Sequence, residues 1–314
     1  MNTMLNALTR VVLVAALLVA VVPCAKGQTN ATDQAPLITT VYFPVGIFAG
    51  GTPLMTTTDW RNLMPGSELL QRDLSWDTGD QSNYGFARGG PGYRGAMPDA
   101  SPILEVAMGL DLGRKKGADA RFEKELRLGV TYLANGYLGR TWYRSSTGPY
   151  DTLTSNLNGQ ESYVDTTWNE QYSADYRFTR IGLNAAYVVR KRTPGKLSWY
   201  VGFGGMVGTT LNASATVSHQ VYTSVTRSYV DYPELDTSLD NDGFEEHHVA
   251  SAMWGAAYAL AGLDLRLGKK HPFWSSIHLF NELRPTVLFN KVPGSQMATT
   301  GAFQNVFGLR LDLR

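Results

Sequence analysis

The residues able to do chemistry fall into three groups: charges alternating with apolar side chains, five histidines, and an acidic stretch near residue 240. The alternating charges are Glu105, Glu125, Asp264, Glu282 and Asp312 against Arg127, Arg180, Arg266, Arg284 and Arg310. Their signs balance. If they point into a narrow, low-dielectric lumen they must pair, because an unpaired buried ion is costly. Paired, they form a plug; left open to water, they line a pore.

The histidines are His219, His247, His248, His271 and His278. None sits near a G-x-S-x-G elbow or in a compact His-x-Ser pattern. His278 shares a face with Glu282, but residues four apart on a strand are about 13 Å apart, too far to touch. His278 is therefore expected to join the charge network, with a cross-strand hydrolase site as the alternative. Between Asp231 and Glu246 lie seven carboxylates and no Lys or Arg. The run Asp240-Asn-Asp-Gly-Phe-Glu245 has part of the oxygen-ligand spacing of a calcium loop, which makes Asp240, Asp242 and Glu245 candidate metal ligands. The flanking helices of an EF-hand are missing, and a solvated acidic loop explains the stretch as well. Gly202-Phe-Gly-Gly-Met-Val-Gly208 misses the dinucleotide spacing, so no cofactor is expected.

Cys24 is the only cysteine, and it falls in a leader-like segment: Arg10, the apolar run Val11–Val22, then small residues to Gly27. That pattern predicts a signal peptide over 1–27, cleaved after Gly27, a short segment over 28–36, and one domain over 37–314. The apolar run is too short to span a membrane, which takes about 20 residues. Of the 28 basic residues, Arg10 and Lys26 leave with the leader, so 26 face 27 acidic ones in the remainder. This balance, with no basic cluster, gives no sign of nucleic-acid binding.

Elements that position the charges show a period of two. Leu104, Val106, Met108, Leu110 and Leu112 oppose Glu105, Ala107, Gly109 and Asp111; Leu126, Leu128, Val130 and Tyr132 oppose Glu125, Arg127, Gly129 and Thr131. The same alternation recurs in 180–190, 197–211 and 303–313. One face is large and apolar, the other small or charged, which is a strand pattern. No later segment reaches 18 apolar residues; the closest is Val249–Leu263, fifteen residues without a charge. Any membrane crossing must therefore use strands, and these strands are long enough to cross when tilted.

Short connections (113–120, 191–196, 268–272) alternate with long polar ones (roughly 135–174 and 212–248). Counting back from the C-terminus, strands 301–313, 276–289, 250–267, 197–211, 176–190, 121–134 and 103–112 make seven, and an even barrel needs one more. Ile38–Phe48 is the candidate, although Pro44 removes a ladder donor. Gly109-Leu-Asp-Leu-Gly-Arg-Lys-Lys116 and Gly262-Leu-Asp-Leu-Arg-Leu-Gly-Lys-Lys270 repeat one another at the ends of two strands that run the same way. Two aromatic girdles are expected, one of Tyr187, Trp199, Phe273 and Trp274, the other of Tyr132, Trp142, Tyr143, Tyr176, Phe178 and Phe289.

Together these features resemble the small outer-membrane barrels of the OmpA-transmembrane and OmpX-like superfamily over about residues 36–314. The resemblance implies an all-β fold, a transmembrane antiparallel up-and-down β-barrel of about eight strands, with short periplasmic turns and long extracellular loops. It implies export to the outer membrane of a Gram-negative bacterium, the barrel-assembly machinery as a partner, and contact with outer-membrane lipid and lipopolysaccharide. The expected function is non-enzymatic: a structural or surface-binding role, with an extracellular ligand or protein partner held by the loops. A narrow channel and a membrane-embedded hydrolase are the alternatives.

Overall fold

The computed structural model describes residues 38–50, 55–72, 99–112, 122–154, 161–191, 193, 195–227, 236–268 and 270–313. The expected leader and the turn at Lys115-Lys116 lie outside these. Nine strands form one antiparallel sheet: β1 (Ile38–Gly50), β2 (Asp99–Asp111), β3 (Phe122–Thr154), β4 (Glu161–Lys191), β5 (Leu197–Arg227), β6 (Asp236–His248), β7 (Met253–Arg266), β8 (Ile277–Lys291) and β9 (Met297–Asp312). Eight of them close a ring in the order β1-β2-β3-β4-β5-β7-β8-β9, and β6 stands outside it on the far end of β5. The fold is thus an all-β, up-and-down barrel of eight strands. None of the described helices is long and apolar enough to cross a membrane.

Closure depends on β1, which carries Pro44. It pairs with β9 from Thr40–Asp312 to Gly50–Ala302, and with β2 on its other edge. The β1–β2 ladder passes from Tyr42–Ala107 to Val45–Leu104 without a pairing at Pro44, as a residue lacking an N–H requires.

The long polar connections are corrected by the structure. Most of 135–174 and 212–248 is strand: β3 and β4 run on as a paired ribbon, and β5 and β6 continue the sheet beside them. These stretches are polar because they leave the ring, not because they are coil. Their alternation persists, with Ala213, Ala215 and Val217 buried between Ser214 and Thr216.

Where β3 and β5 leave the ring, each carries an asparagine in the left-handed region, Asn135 (φ 57°) and Asn212 (φ 50°). Asparagine tolerates this region better than most residues. Register shifts occur at both places, between Leu133 and Gly136 on β3 and between Thr179 and Arg177 opposite Asn212. Each extra residue moves the buried set by one: Thr131 and Leu133 give way to Leu138 and Trp142, and Thr210 gives way to Ala213.

The ring turns its large apolar side chains outward. Leu183 and Phe203 are each 65% exposed, Phe307 59%, and Ile47, Leu128, Val207, Leu263 and Leu283 are also exposed. Over the projecting sheet lie two short helices from the β1–β2 connection, α1 (Thr57–Leu63) and α2 (Glu68–Gln71). A third, α3 (Pro272–Ser275), sits in a short turn at the other end. Met55, Trp60, Leu63, Met64, Leu69 and Leu70 pack with Leu138, Trp142, Tyr172, Tyr176, Phe178, Ala215 and Val217 into one apolar core. Trp142, Tyr176 and Phe178, expected in an outer girdle, are therefore buried beneath this cap. The Asn135 bulge explains Trp142, which changes face at the register shift. Trp199, Phe273, Trp274 and Phe289 remain exposed.

Candidate functional site

The site of interest is the barrel interior, where β2, β3, β4, β7, β8 and β9 contribute charges from their inward faces and β1 and β5 contribute Tyr42 and Tyr200. At mid-height Glu282 on β8 is buried between two arginines. Its carboxylate pairs with Arg127 on β3 and, at 2.7 Å, with Arg284 on its own strand. Tyr200 Oη donates to Glu282 Oε1 at 2.9 Å. Arg284 also pairs with Glu105 on β2 at 2.8 Å, and Arg127 with Glu125 at 3.1 Å. Two arginines thus bridge three carboxylates, and every one of the five charges is nearly fully buried.

Small residues make the room. A Cβ at Gly262 would lie 2.3 Å from Tyr200 Cζ, and one at Gly204 2.6 Å from Tyr258 Cζ. Both tyrosine rings cross the lumen over neighbouring backbone. Arg284 lies over the Tyr258 ring at 5.3 Å and Arg127 over the Tyr42 ring at 4.2 Å. Val188, Leu260 and Val306 fill gaps between the ions.

Toward the short-turn end a second layer follows. Tyr42 Oη donates to Glu125 Oε2 at 2.9 Å and accepts from Arg190 Nη2 at 3.0 Å. Arg190 also faces Glu125 at 3.6 Å and Asp264 at 3.9 Å. His278 stands between two carboxylates, with Nδ1 2.5 Å from Asp264 and Nε2 3.3 Å from Asp312. Arg310 pairs with the same two, at 3.1 and 3.2 Å. This layer floors a polar cavity of about 520 Å³ at the short-turn end, whose wall includes Lys124, Lys196 and Arg266. At the opposite end Arg180 donates to Asn290 at 2.8 Å and stacks on Phe178 at 4.7 Å, beneath the cap.

All eleven of the expected interior residues point inward, and the structure brings most of them into one network. Arg266 instead lines the mouth cavity, half-buried, and Asp312 keeps a quarter of its side chain exposed. His278 does not meet Glu282; its partners come from β7 and β9. Both of its ring nitrogens face carboxylates, which leaves neither to activate a serine. Sequence reasoning missed Arg190, Tyr42, Tyr200 and Tyr258 as members. The signal was there, since Arg190 has the parity of Arg180 and Tyr200 that of Ser198.

The acidic stretch behaves differently. Residues 236–248 form the extended strand β6, with a shift between Asn241 and Gly243 opposite Gln220 and His219, so they do not wrap as a calcium loop does. The backbone of Asp240 and Asp242 lies in that strand, and their side chains fall outside the described set. Glu245 accepts from Leu69 N–H at 3.0 Å and pairs with His247 at 3.2 Å. Burial pushes the Glu245 carboxyl up, but hydrogen bonds from Ser67, the Leu69 amide and His247 outweigh it and hold the pKa below the usual range. Among the described residues no group of three His, Cys, Asp or Glu is placed to hold a metal. His219 is buried with Glu170 at 2.9 Å and stacks on Tyr172 at 4.1 Å.

No known family model matches the chain, and no curated protein matches it either.

Proposed function

We propose that the protein is an outer-membrane β-barrel of a Gram-negative bacterium, similar in kind to the OmpA-transmembrane and OmpX-like barrels, with a non-enzymatic structural and surface-binding role. The observation that carries this reading is the inverted wall. Leu, Phe and Val side chains stand exposed around a closed ring whose interior holds buried ion pairs. Water would leave that apolar wall costly and lipid makes it favourable. Ring closure removes edges that hydrocarbon could not satisfy.

In this orientation the short basic turns face the periplasm and the β3–β6 sheet with its cap projects outside. The projecting sheet is then the binding surface, because it is the part that reaches beyond lipid. Its acidic strand β6 meets lipopolysaccharide phosphates through divalent cations, since two negative surfaces otherwise repel. The filled lumen and the cap favour this over a channel: a conduit would have to break the Glu282 hub and displace Trp60 and Met64. The test is an epitope inserted between Thr154 and Glu161, expected to bind antibody on intact cells, beside one after Lys116, expected to bind only after lysis. The reverse pattern overturns the orientation, and recovery of the chain in the soluble fraction overturns the membrane reading.

A further inference from the structure

Two asparagines interrupt the apolar wall. Outward along β8 stand Leu279, Asn281, Leu283, Pro285, Val287 and Phe289, and along β9 Phe303, Asn305, Phe307 and Leu309. Asn281 has Leu279 and Leu283 on either side of it, and Asn305 has Phe303 and Phe307; all six are exposed. The amides therefore lie within the apolar band. Asn281 Nδ2 donates to Asn305 Oδ1 at 2.8 Å and to Val306 O at 3.2 Å.

That arrangement is half finished. It uses one amide group and one carbonyl, and leaves Asn281 Oδ1 as an acceptor and Asn305 Nδ2 as a donor. Flipping both amides would exchange these roles but set Asn281 Oδ1 against the Val306 carbonyl, and one donor and one acceptor would still be left over. Hydrocarbon offers neither a donor nor an acceptor. A two-fold axis through the pair would answer both needs at once: the free N–H of one copy meets the free carbonyl of the other, and the reverse. The complementarity is of the patch with itself, which singles out a second copy over a different partner.

The surrounding wall fits a close approach. Next to β8, β7 turns Gly255, Ala257, Ala259 and Ala261 outward, a low surface between larger side chains. The β7–β8 ladder also breaks on this side, passing from Tyr258–Thr286 to Ala261–Leu283 around Pro285. Small residues that let backbones approach, joined to buried amides, are how membrane segments associate when apolar burial offers no advantage over lipid.

We infer that the β7–β8–β9 face, centred on Asn281 and Asn305, is the interface through which two copies of this chain dimerise in the membrane. The inference rests on the membrane-barrel reading. Apart from Cys24 the chain has no cysteine, so single cysteines report cleanly. Leu283→Cys, beside the amides, is compared in isolated membranes under oxidation with Leu128→Cys on β3, across the ring. A product of twice the chain mass is expected at least tenfold more abundant for Leu283→Cys. Adding Asn281→Leu and Asn305→Leu should cut it about tenfold, while the variants still shift on gels when boiled, as closed barrels do. Equal cross-linking at both positions, an undiminished product after the double replacement, or a product of another mass overturns the inference. If no variant shows the boiling shift, the barrel reading itself has failed; if all show it without the dimer, only the interface has.

Discussion

Within the ring, the inner face of β3, β4 and β5 carries Arg127, Arg180, Arg190 and Tyr200; beyond Asn135 and Asn212 the same strands carry Trp142, Tyr172, Tyr176 and Val217 on that face. One sheet thus has an ionic core below and a mainly apolar core above, in which Arg140 and the His219–Glu170 pair are the buried polar exceptions. The difference follows from what covers each face. Inside the ring, strands face other strands across a lumen that about eight strands leave only just wide enough for side chains. The charges of the ring strands turn inward, away from the exposed apolar wall, and there they pair. Above the ring the sheet is open, water reaches its outer side, and the inner side is buried only if another element covers it. The cap at 55–72 does so with Trp60, Leu63, Met64 and Leu70, and the ordinary rule of apolar inside, polar outside returns.

The strongest test of the contrast removes one ion. Arg284→Ala strands Glu105 away from water and leaves Glu282 to Arg127 and Tyr200 alone, and it is expected to destabilise by about 3–5 kcal/mol, read by denaturant unfolding of the refolded barrel. Glu246→Ala, an exposed carboxylate on β6, should fall within about 0.5 kcal/mol. Small, equal effects would mean a wide, wet lumen, and the channel reading would gain. Next in size is the outer wall. If the wall faces lipid, as proposed, Val201→Arg or Leu128→Arg should cost about 2–4 kcal/mol near the midplane. A neutral result in membranes would mean that the inner and outer faces are exchanged.

The hinge between the two cores gives a smaller effect. Asn135→Ala and Asn212→Ala force alanine into the left-handed region and should each cost about 1–2 kcal/mol, whereas Asn→Gly at either place should be nearly neutral. If alanine were as good as glycine, the phase change would not depend on backbone conformation there.

Much of this was legible in the sequence. Alternation and the spacing of connections marked seven ring strands, the need for an even number pointed to the eighth at Ile38–Phe48, and parity alone put Glu105, Arg127, Glu282 and Arg284 on one side of the wall. Alternation cannot say which strands face one another across a lumen. So His278 could be expected in the charge network and apart from Glu282, but its partners Asp264 and Asp312 come only with ring closure. The projecting sheet was misread for a different reason. Its Thr, Ser, Asn and Tyr have loop-like polarity, while the single-residue shifts at Asn135 and Asn212 break the period that would have marked it as strand. The cap left less signal still: two short helices, a capping box at Thr56 and Asp59, and a burial partner some 80 residues away that only the fold supplies.

The smallest expected effect concerns how the cap is fastened. Glu245 on β6 receives the Leu69 N–H, which lies in the first turn of α2, while Ser67 Oγ caps that helix at Leu70 N. The fastening is strongest while Glu245 is ionised, because a protonated carboxyl loses charge-assisted acceptance. The folded pKa is lowered, so the contribution is full above the ordinary carboxylate pKa and fades as pH falls through the lowered one. Acid should therefore loosen the cap while the apolar core beneath it still holds, raising the protease sensitivity of 55–72 before the barrel unfolds. Glu245→Gln keeps an acceptor for Leu69 but removes the titration. In that variant, cap cleavage should be slightly raised at neutral pH and should no longer rise in acid. An unchanged acid response would place the pH dependence in another group and leave Glu245 a bystander to the cap.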